Sequence, residues 1–266
     1  MRIPDMHDST FVDWPGEAPA AVFVHGAGFH ARCWDAVIEA VPRRCVAVNL
    51  RGHGGVEAPA GALRWPDFAA DVIAACDAAG VRGAIGVAHS LGGYVAAVAA
   101  ALRPDLFRAL WLIDPVILPA AAYGGEIPTP AARRRTSFAS PEEMCARFAA
   151  RPPFSRWTAR VLDDYCHFGL RPDGGLWCEP EFEAQIYATA AAREADPYVL
   201  LAQVRIPVHV RRSGRVDADN LFSRSPTAPD LAQHFLRGED RVELRYSHFL
   251  PMEAPELVAE WVRGEA

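Results

Sequence analysis

A serine becomes a useful nucleophile when the backbone holds its hydroxyl clear of the chain and a neighbouring base takes its proton. Ser90 meets the first condition in the sequence itself. It stands in Ala88-His89-Ser90-Leu91-Gly92, with small residues two places before and two places after. This small-x-Ser-x-small spacing is that of a nucleophile elbow, although the first position, commonly Gly, is here Ala88. A tight turn at a strand's end leaves no room for side chains packed against it from either side, hence the small flanks. The amides of a following helix point toward the space beside the hydroxyl, which suits a developing negative charge. Acyl transfer is the chemistry such a serine performs.

The elements around Ser90 are those needed to position it. An apolar run, Ala84 to Ala88, enters the turn, and a helical pattern from Tyr94 leaves it until Pro104. Before it, Thr10 to Trp14 reads as a short strand, and Ala20 to Val24 and Arg44 to Val48 as strands buried on both faces. Helices are predicted over 31–40 and 66–79, the second with Pro in its first turn and Gly80 at its end. A further strand, Ala109 to Ile113, closes on Asp114-Pro115. Strand and helix therefore alternate, implying an α/β fold with a mostly parallel sheet covered on both faces. Functional groups in such sheets gather beyond the carboxyl ends of the strands. From 117 to 202 the pattern is helical instead (141–150, 155–168 and 181–192), broken by Pro- and Gly-rich stretches. The alternation resumes with a strand Val208 to Arg212, a helix Ala228 to Leu236, a strand Val242 to Tyr246 and a last helix Pro255 to Arg263. The reading is a core of 1–116 and 203–266 with a helical cap at 117–202.

Composition narrows the chemistry. All 27 basic residues are Arg, so reactions that require a lysine amine, such as Schiff-base and pyridoxal-phosphate chemistry, are excluded. A net charge of −6 and no basic run longer than Arg133-Arg134-Arg135 argue against a nucleic-acid partner. Those three arginines are expected on a solvated helix face, although they could meet an acidic substrate. No stretch approaches the roughly 18 apolar residues of a membrane span, and no signal-peptide core is present. A cytoplasmic location without membrane partners follows as an expectation. The six cysteines lack metal-ligand spacing; reduced thiols are expected, with one disulfide among Cys145, Cys166 and Cys178 as the alternative. No metal or cofactor is expected.

Taken in order, His25-Gly26 with Trp34 nine places on, Arg51-Gly52-His53-Gly54, the elbow at Ser90, Gly214-x-x-Asp217, and His248 followed by Glu253-x-Pro255-Glu256 resemble the α/β-hydrolase family over essentially the whole chain. The resemblance implies a Ser, Asp, His triad in that chain order. Ser90 is the nucleophile, and His248, following the last strand, is the base. The other eight histidines stand in turn motifs (His25, His53), beside the serine (His89), or in the N-terminus, a loop, the insertion, a strand and a helix. Asp217 is the expected orienting acid from the Gly-x-x-Asp spacing, in an unusually Arg-rich setting. The alternatives are Asp114, where some relatives keep their acid, and Asp219. The oxyanion hole is expected from the backbone N–H groups of Ala27 and Leu91, with Gly28 as the alternative to Ala27. Gly28, Phe29, Trp34 and Tyr94 are candidates for pocket walls, the aromatics equally for core.

Serine at the elbow separates the chain from haloalkane dehalogenases and epoxide hydrolases, which resemble it but carry Asp there. The expected activity is hydrolysis of a carboxylic ester or lactone of a small to medium molecule through an acyl-enzyme. Carbon–carbon bond hydrolysis and cofactor-free perhydrolysis use the same triad and are the enzymatic alternatives. A ligand-binding receptor on the same fold is the non-enzymatic one.

Overall fold

The computed structural model describes residues 10–117, 134–189, 196–217 and 223–264. Its centre is a seven-stranded sheet: β1 (Phe11–Trp14), β2 (Glu17–Val24), β3 (Arg43–Val48), β4 (Ala84–His89), β5 (Phe107–Ile113), β6 (Val208–Ser213) and β7 (Gly238–Glu243). The spatial order is β1-β3-β2-β4-β5-β6-β7. β1 runs antiparallel to β3, and every other neighbouring pair is parallel.

Alternate residues of each buried strand feed two apolar layers, as the two-residue period of a strand requires. Val22, Val24, Val46, Val48, Leu110 and Leu112 face one layer. There they meet α2 (Asp67–Ala78) and α3 (Leu91–Leu102), reached after the short α1 (Asp35–Ile38). Ala21, Phe23, Cys45, Ala47, Ile85 and Val87 face the other layer, against Trp34, α1 and the C-terminal helix. Burying apolar side chains on both faces, at roughly 1.5–3 kcal/mol for each large one, accounts for strands without polar alternation.

Between β5 and β6 lie α4 (Pro141–Ala149), α5 (Ala159–Gly169), α6 (Pro180–Thr189) and α7 (Pro197–Leu201). Their starts are fixed locally: Ser140 Oγ accepts from Glu143 N, Thr158 Oγ1 from Val161 N, and Asp196 Oδ1 from Tyr198 N. Met144, Trp157, Val161, Leu162 and Tyr165 pack on Phe29, Cys33 and Met252 of the sheet unit. These helices thereby cover the carboxyl ends of the strands.

Two predicted elements differ. Residues 228–236 form only a 3-10 turn, Leu231–His234, because Pro226 and Pro229 interrupt the approach to a helix. The last strand is Gly238–Glu243 instead of Val242–Tyr246. It is an edge strand whose first four residues are exposed, and its Glu239 and Asp240 pair sideways with Arg211 and Arg212 of β6. The chain closes with α8 (Leu250–Glu253) and α9 (Pro255–Gly264). All six cysteines are free. Among the described residues, no helix is long and apolar enough to cross a membrane, and no group of His, Cys, Asp or Glu could hold a metal ion.

Candidate active site

Ser90 sits between β4 and α3 at φ 55° and ψ −119°. A non-glycine residue rarely adopts this conformation, and the surroundings hold it there. Ser90 N donates to Ile113 O at 3.1 Å, and Val116 N donates to Ser90 O at 3.1 Å. A Cβ on Gly92 would lie 2.4 Å from Val24 O, so this position must be glycine for α3 to approach β2.

His248, in the turn before α8, reaches Ser90 Oγ through Nε2 at 3.1 Å. Its Nδ1 lies 2.9 Å from Asp114 Oδ2. The acid against this imidazole is therefore Asp114 and not Asp217, which corrects the reading from the Gly-x-x-Asp spacing. Asp114 follows β5 at φ 47° and is the only described non-glycine residue besides Ser90 with positive φ. Aspartate tolerates that region better than most side chains. Its carboxylate is fully buried and receives four donors. Oδ1 accepts from Ser213 N at 2.9 Å and from Ser225 Oγ. Oδ2 accepts from Ser213 Oγ at 2.6 Å and from His248 Nδ1. Burial by itself raises the pKa of Asp114, but the hydrogen bond and charge of His248, with Ser213 and Ser225, outweigh it and hold the group below the usual carboxylate value.

Asp217 has different company. Arg215 Nε donates to its Oδ1 at 2.8 Å and Arg156 Nη1 at 3.4 Å. Of the arginines that set this segment apart in the sequence, Arg215 pairs with Asp217, while Arg211 and Arg212 pair with Glu239 and Asp240 on β7. Asp219 lies outside the described residues.

The loop after β2 carries the second half of the site. His53 Nδ1–H donates to Arg51 O at 2.9 Å, which leaves Nε2 to accept the Gly28 N–H at 3.0 Å. Gly28 N–H is thus occupied, and Ala27 N–H is the candidate donor left from this loop beside Leu91 N–H at the start of α3. His25 similarly accepts Leu50 N–H at Nε2 (3.1 Å) and, through Nδ1, donates to Gly26 O at 2.7 Å. Burial keeps these rings neutral, with His53 lowered to about 4 and His25 well below its ordinary value. His89 points away from Ser90 and donates from Nε2 to His248 O at 2.8 Å. Its pKa is lowered to about 3 by burial and then by the charge of His248.

A model of the Alpha/beta hydrolase family matches residues 21–261. The chain belongs to this family. An esterase of Mycobacterium tuberculosis is 36% identical over 104 residues, which cover 38% of this α/β-hydrolase and 34% of that esterase. The match thus spans about a third of that relative's length. Among solved structures, E-2-(acetamidomethylene)succinate hydrolase superposes with a TM-score of 0.77 at 22% identity, over 96% of this chain and 93% of that one. The structure of a novel esterase from M. tuberculosis gives 0.70 at 22% identity, over 99% and 90%. At these identities the structures share the fold.

Above the loop of this hydrolase, Gly28, Phe29 and His30 face Tyr165, Gly169, Leu176, Trp177 and Cys178 across a space of about 10 Å³, no more than one water requires. Phe29 is in contact with Trp157, Tyr165 and Phe249, as a wall between loop and helices. Trp34 and Tyr94 are core residues: Trp34 packs on Phe23, and Tyr94 on Trp65. Sequence reasoning missed Ser213 and Ser225, whose role depends on long-range pairing. It also misjudged Arg134. This residue is not on a helix; it turns inward to Glu183 and donates from Nη2 to Tyr165 Oη at 3.0 Å. Arg135 is exposed and pairs with Glu143 at 2.6 Å. Arg133 lies outside the described residues.

Proposed function

We propose that this α/β-hydrolase is a serine hydrolase that cleaves a carboxylic ester or lactone of a small to medium molecule through an acyl-enzyme. One observation carries the reading: the His248 imidazole bridges Ser90 Oγ at 3.1 Å and Asp114 Oδ2 at 2.9 Å. An ionised Asp114 can only accept, so Nδ1 keeps the proton and Nε2 offers its lone pair to the Ser90 hydroxyl. As Ser90 Oγ bonds to the substrate carbonyl carbon, its proton passes to Nε2. Asp114 then faces an imidazolium, which it stabilises without taking the proton. The carbonyl oxygen becomes an oxyanion held by the N–H groups of Leu91 and Ala27, where each donor is worth about 3 kcal/mol in the transition state. The Leu91 donor also gains from the positive end of the α3 dipole. Collapse breaks the bond to the alcohol, which leaves with the proton from Nε2. Water repeats the sequence on the acyl-enzyme, giving up a proton to His248, and the acid is released from Ser90. The helices between β5 and β6 act as the cap, and an ester must displace their aromatic contacts with Phe29 to enter.

p-Nitrophenyl acetate and butyrate hydrolysis by wild type and Ser90→Ala tests the reading. The expected loss in kcat is about 10⁶-fold, with loss of covalent labelling by a fluorophosphonate. Wild type inactive across short esters and lactones, or Ser90→Ala as active as wild type, would overturn it.

A further inference from the structure

Most arginines in this lysine-free chain lie against an acid, as Arg44 does on Asp13, Arg51 on Asp71 and Arg212 on Asp240. Arg147 and Arg151 are different. Neither guanidinium makes a hydrogen bond or ion pair with any described residue, and both side chains are exposed, one on the last turn of α4 and one just beyond it. They do not point into open solvent at random. Together with Arg134, Arg135, Phe138 and Phe148 they line a cleft of about 190 Å³.

Among the described residues, four arginines line this space and two carboxylates answer them: Glu183 on Arg134 and Glu143 on Arg135. The Glu143 carboxylate also accepts from Ala139 N at 2.7 Å, and Arg147 lies near enough for its charge to act on it. The cleft is left with an excess of positive charge between two aromatic walls, in a protein of net charge −6. The walls are held in place independently: Phe148 stacks on Phe154 with centroids 4.3 Å apart and meets Phe138 edge-on at 5.6 Å. Fixed low-polarity walls strengthen the pull of guanidinium groups on an anion, and the planar forks suit an oxyanion with two or three oxygens.

The cleft is joined to the catalytic loop through one residue. Arg134 lines both the cleft and the small space over Gly28, Phe29 and His30. Its partner Glu183 is packed on Gly28 so closely that a Cβ there would lie 2.9 Å from Oε1.

We propose that this arginine cleft binds the anionic end of the substrate, so that the favoured esters carry a carboxylate or phosphate beyond the scissile bond. The inference rests on the hydrolase reading above. Arg147 and Arg151 supply the uncompensated charge, and Arg134 orders the boundary between cleft and catalytic loop.

The test compares kcat/KM for neutral and anionic esters in wild type and Arg147→Gln/Arg151→Gln. p-Nitrophenyl butyrate and phenyl acetate are the neutral substrates. Mono-p-nitrophenyl glutarate carries the anion on the acyl side and 4-acetoxybenzoate on the alcohol side. Wild type should prefer an anionic ester over its neutral counterpart. The double variant should lose about 10- to 100-fold of that preference, mainly in KM, with neutral esters unchanged. High salt should reproduce part of the loss in wild type. An unchanged preference in the variant, or no preference in wild type, overturns the proposal. A second arm measures thermal stabilisation by glutarate and by inorganic phosphate. If phosphate stabilises wild type but not the variant while no anionic ester is preferred, the cleft serves a free anion and the substrate assignment falls. If no ester is cleaved yet glutarate still stabilises wild type alone, the hydrolase reading has failed and the anion site has not.

Discussion

Asp114 directly follows β5 and Asp217 stands four residues beyond the end of β6 in the same mostly parallel sheet, yet they occupy opposite electrostatic worlds. Asp114 has no exposed side-chain surface, and its donors are two serine hydroxyls, one backbone N–H and one imidazole. Asp217 is 20% exposed and is met by two arginines. A carboxylate already matched by full positive charges has little left to offer a histidine. One matched mainly by neutral dipoles keeps its charge uncompensated until an imidazolium forms beside it. Burial alone would not have made Asp114 suitable; the hydrogen bond and charge of His248, with the serine donors added, hold its pKa below the usual carboxylate value.

This contrast is open to direct attack. The largest expected effect is Asp114→Asn, which should lower kcat about 10⁴-fold by removing the acceptor that fixes the His248 tautomer. Asp217→Asn should leave kcat within a few-fold and cost no more than about 1 kcal/mol, as expected for partly exposed ion pairs. Ester hydrolysis rates and urea unfolding of the two variants measure both. The reverse ranking would reinstate Asp217.

Acid titration separates buried neutral groups from solvent-facing pairs more gradually. His30 and His53 are lowered to about 4 and His89 to about 3, in each case chiefly by burial. Below the ordinary value of 6.5 the unfolded chain takes up protons that the folded rings refuse. Their stabilisation is therefore complete above about pH 6.5 and is lost as the pH falls toward 4. Each histidine contributes a slope of about 1.4 kcal/mol per pH unit. Unfolding free energy measured from pH 7 to 4 should thus fall more steeply than a single proton allows, equally in wild type and in Asp217→Asn. A flat profile would show that these rings protonate in the folded state. Ser213→Ala tests the donors around Asp114 one at a time. Loss of one hydroxyl donor to a buried carboxylate should cost about 1.5–3 kcal/mol in urea unfolding, while the same change at an exposed serine such as Ser155 should be near neutral.

The two acids also show what a sequence can and cannot disclose. Ser90 and His248 were legible because their signals are local: small flanks around a strand-to-helix turn, and a histidine just after the last strand. The alternation of strand and helix and the mostly parallel sheet are legible from apolar runs that need no partner to be recognised. The acid was not legible in that way. Ser213 and Ser225 lie 99 and 111 residues from Asp114, and their convergence depends on β5 pairing with β6 in one register, Ile113 opposite Arg211. The local signal pointed to Asp217, while Arg215, two residues away, was the available warning that this carboxylate was already taken. The last strand was misplaced for a related reason, since an edge strand stabilised by lateral ion pairs has no apolar run to mark it.

One detail of the elbow bears on how the machinery is distributed along the chain. The peptide of Ser90 is hydrogen-bonded on both sides to the segment that carries Asp114, through Ile113 O and Val116 N. Ser90 and Asp114 are thus mounted on a common frame, and Ala27 and Leu91 belong to the same first 117 residues. The remainder of the chain brings His248 to Ser90 Oγ and the helices that pack on Phe29. Variation in the helices between β5 and β6 can therefore retune what enters without disturbing the spacing of nucleophile and acid.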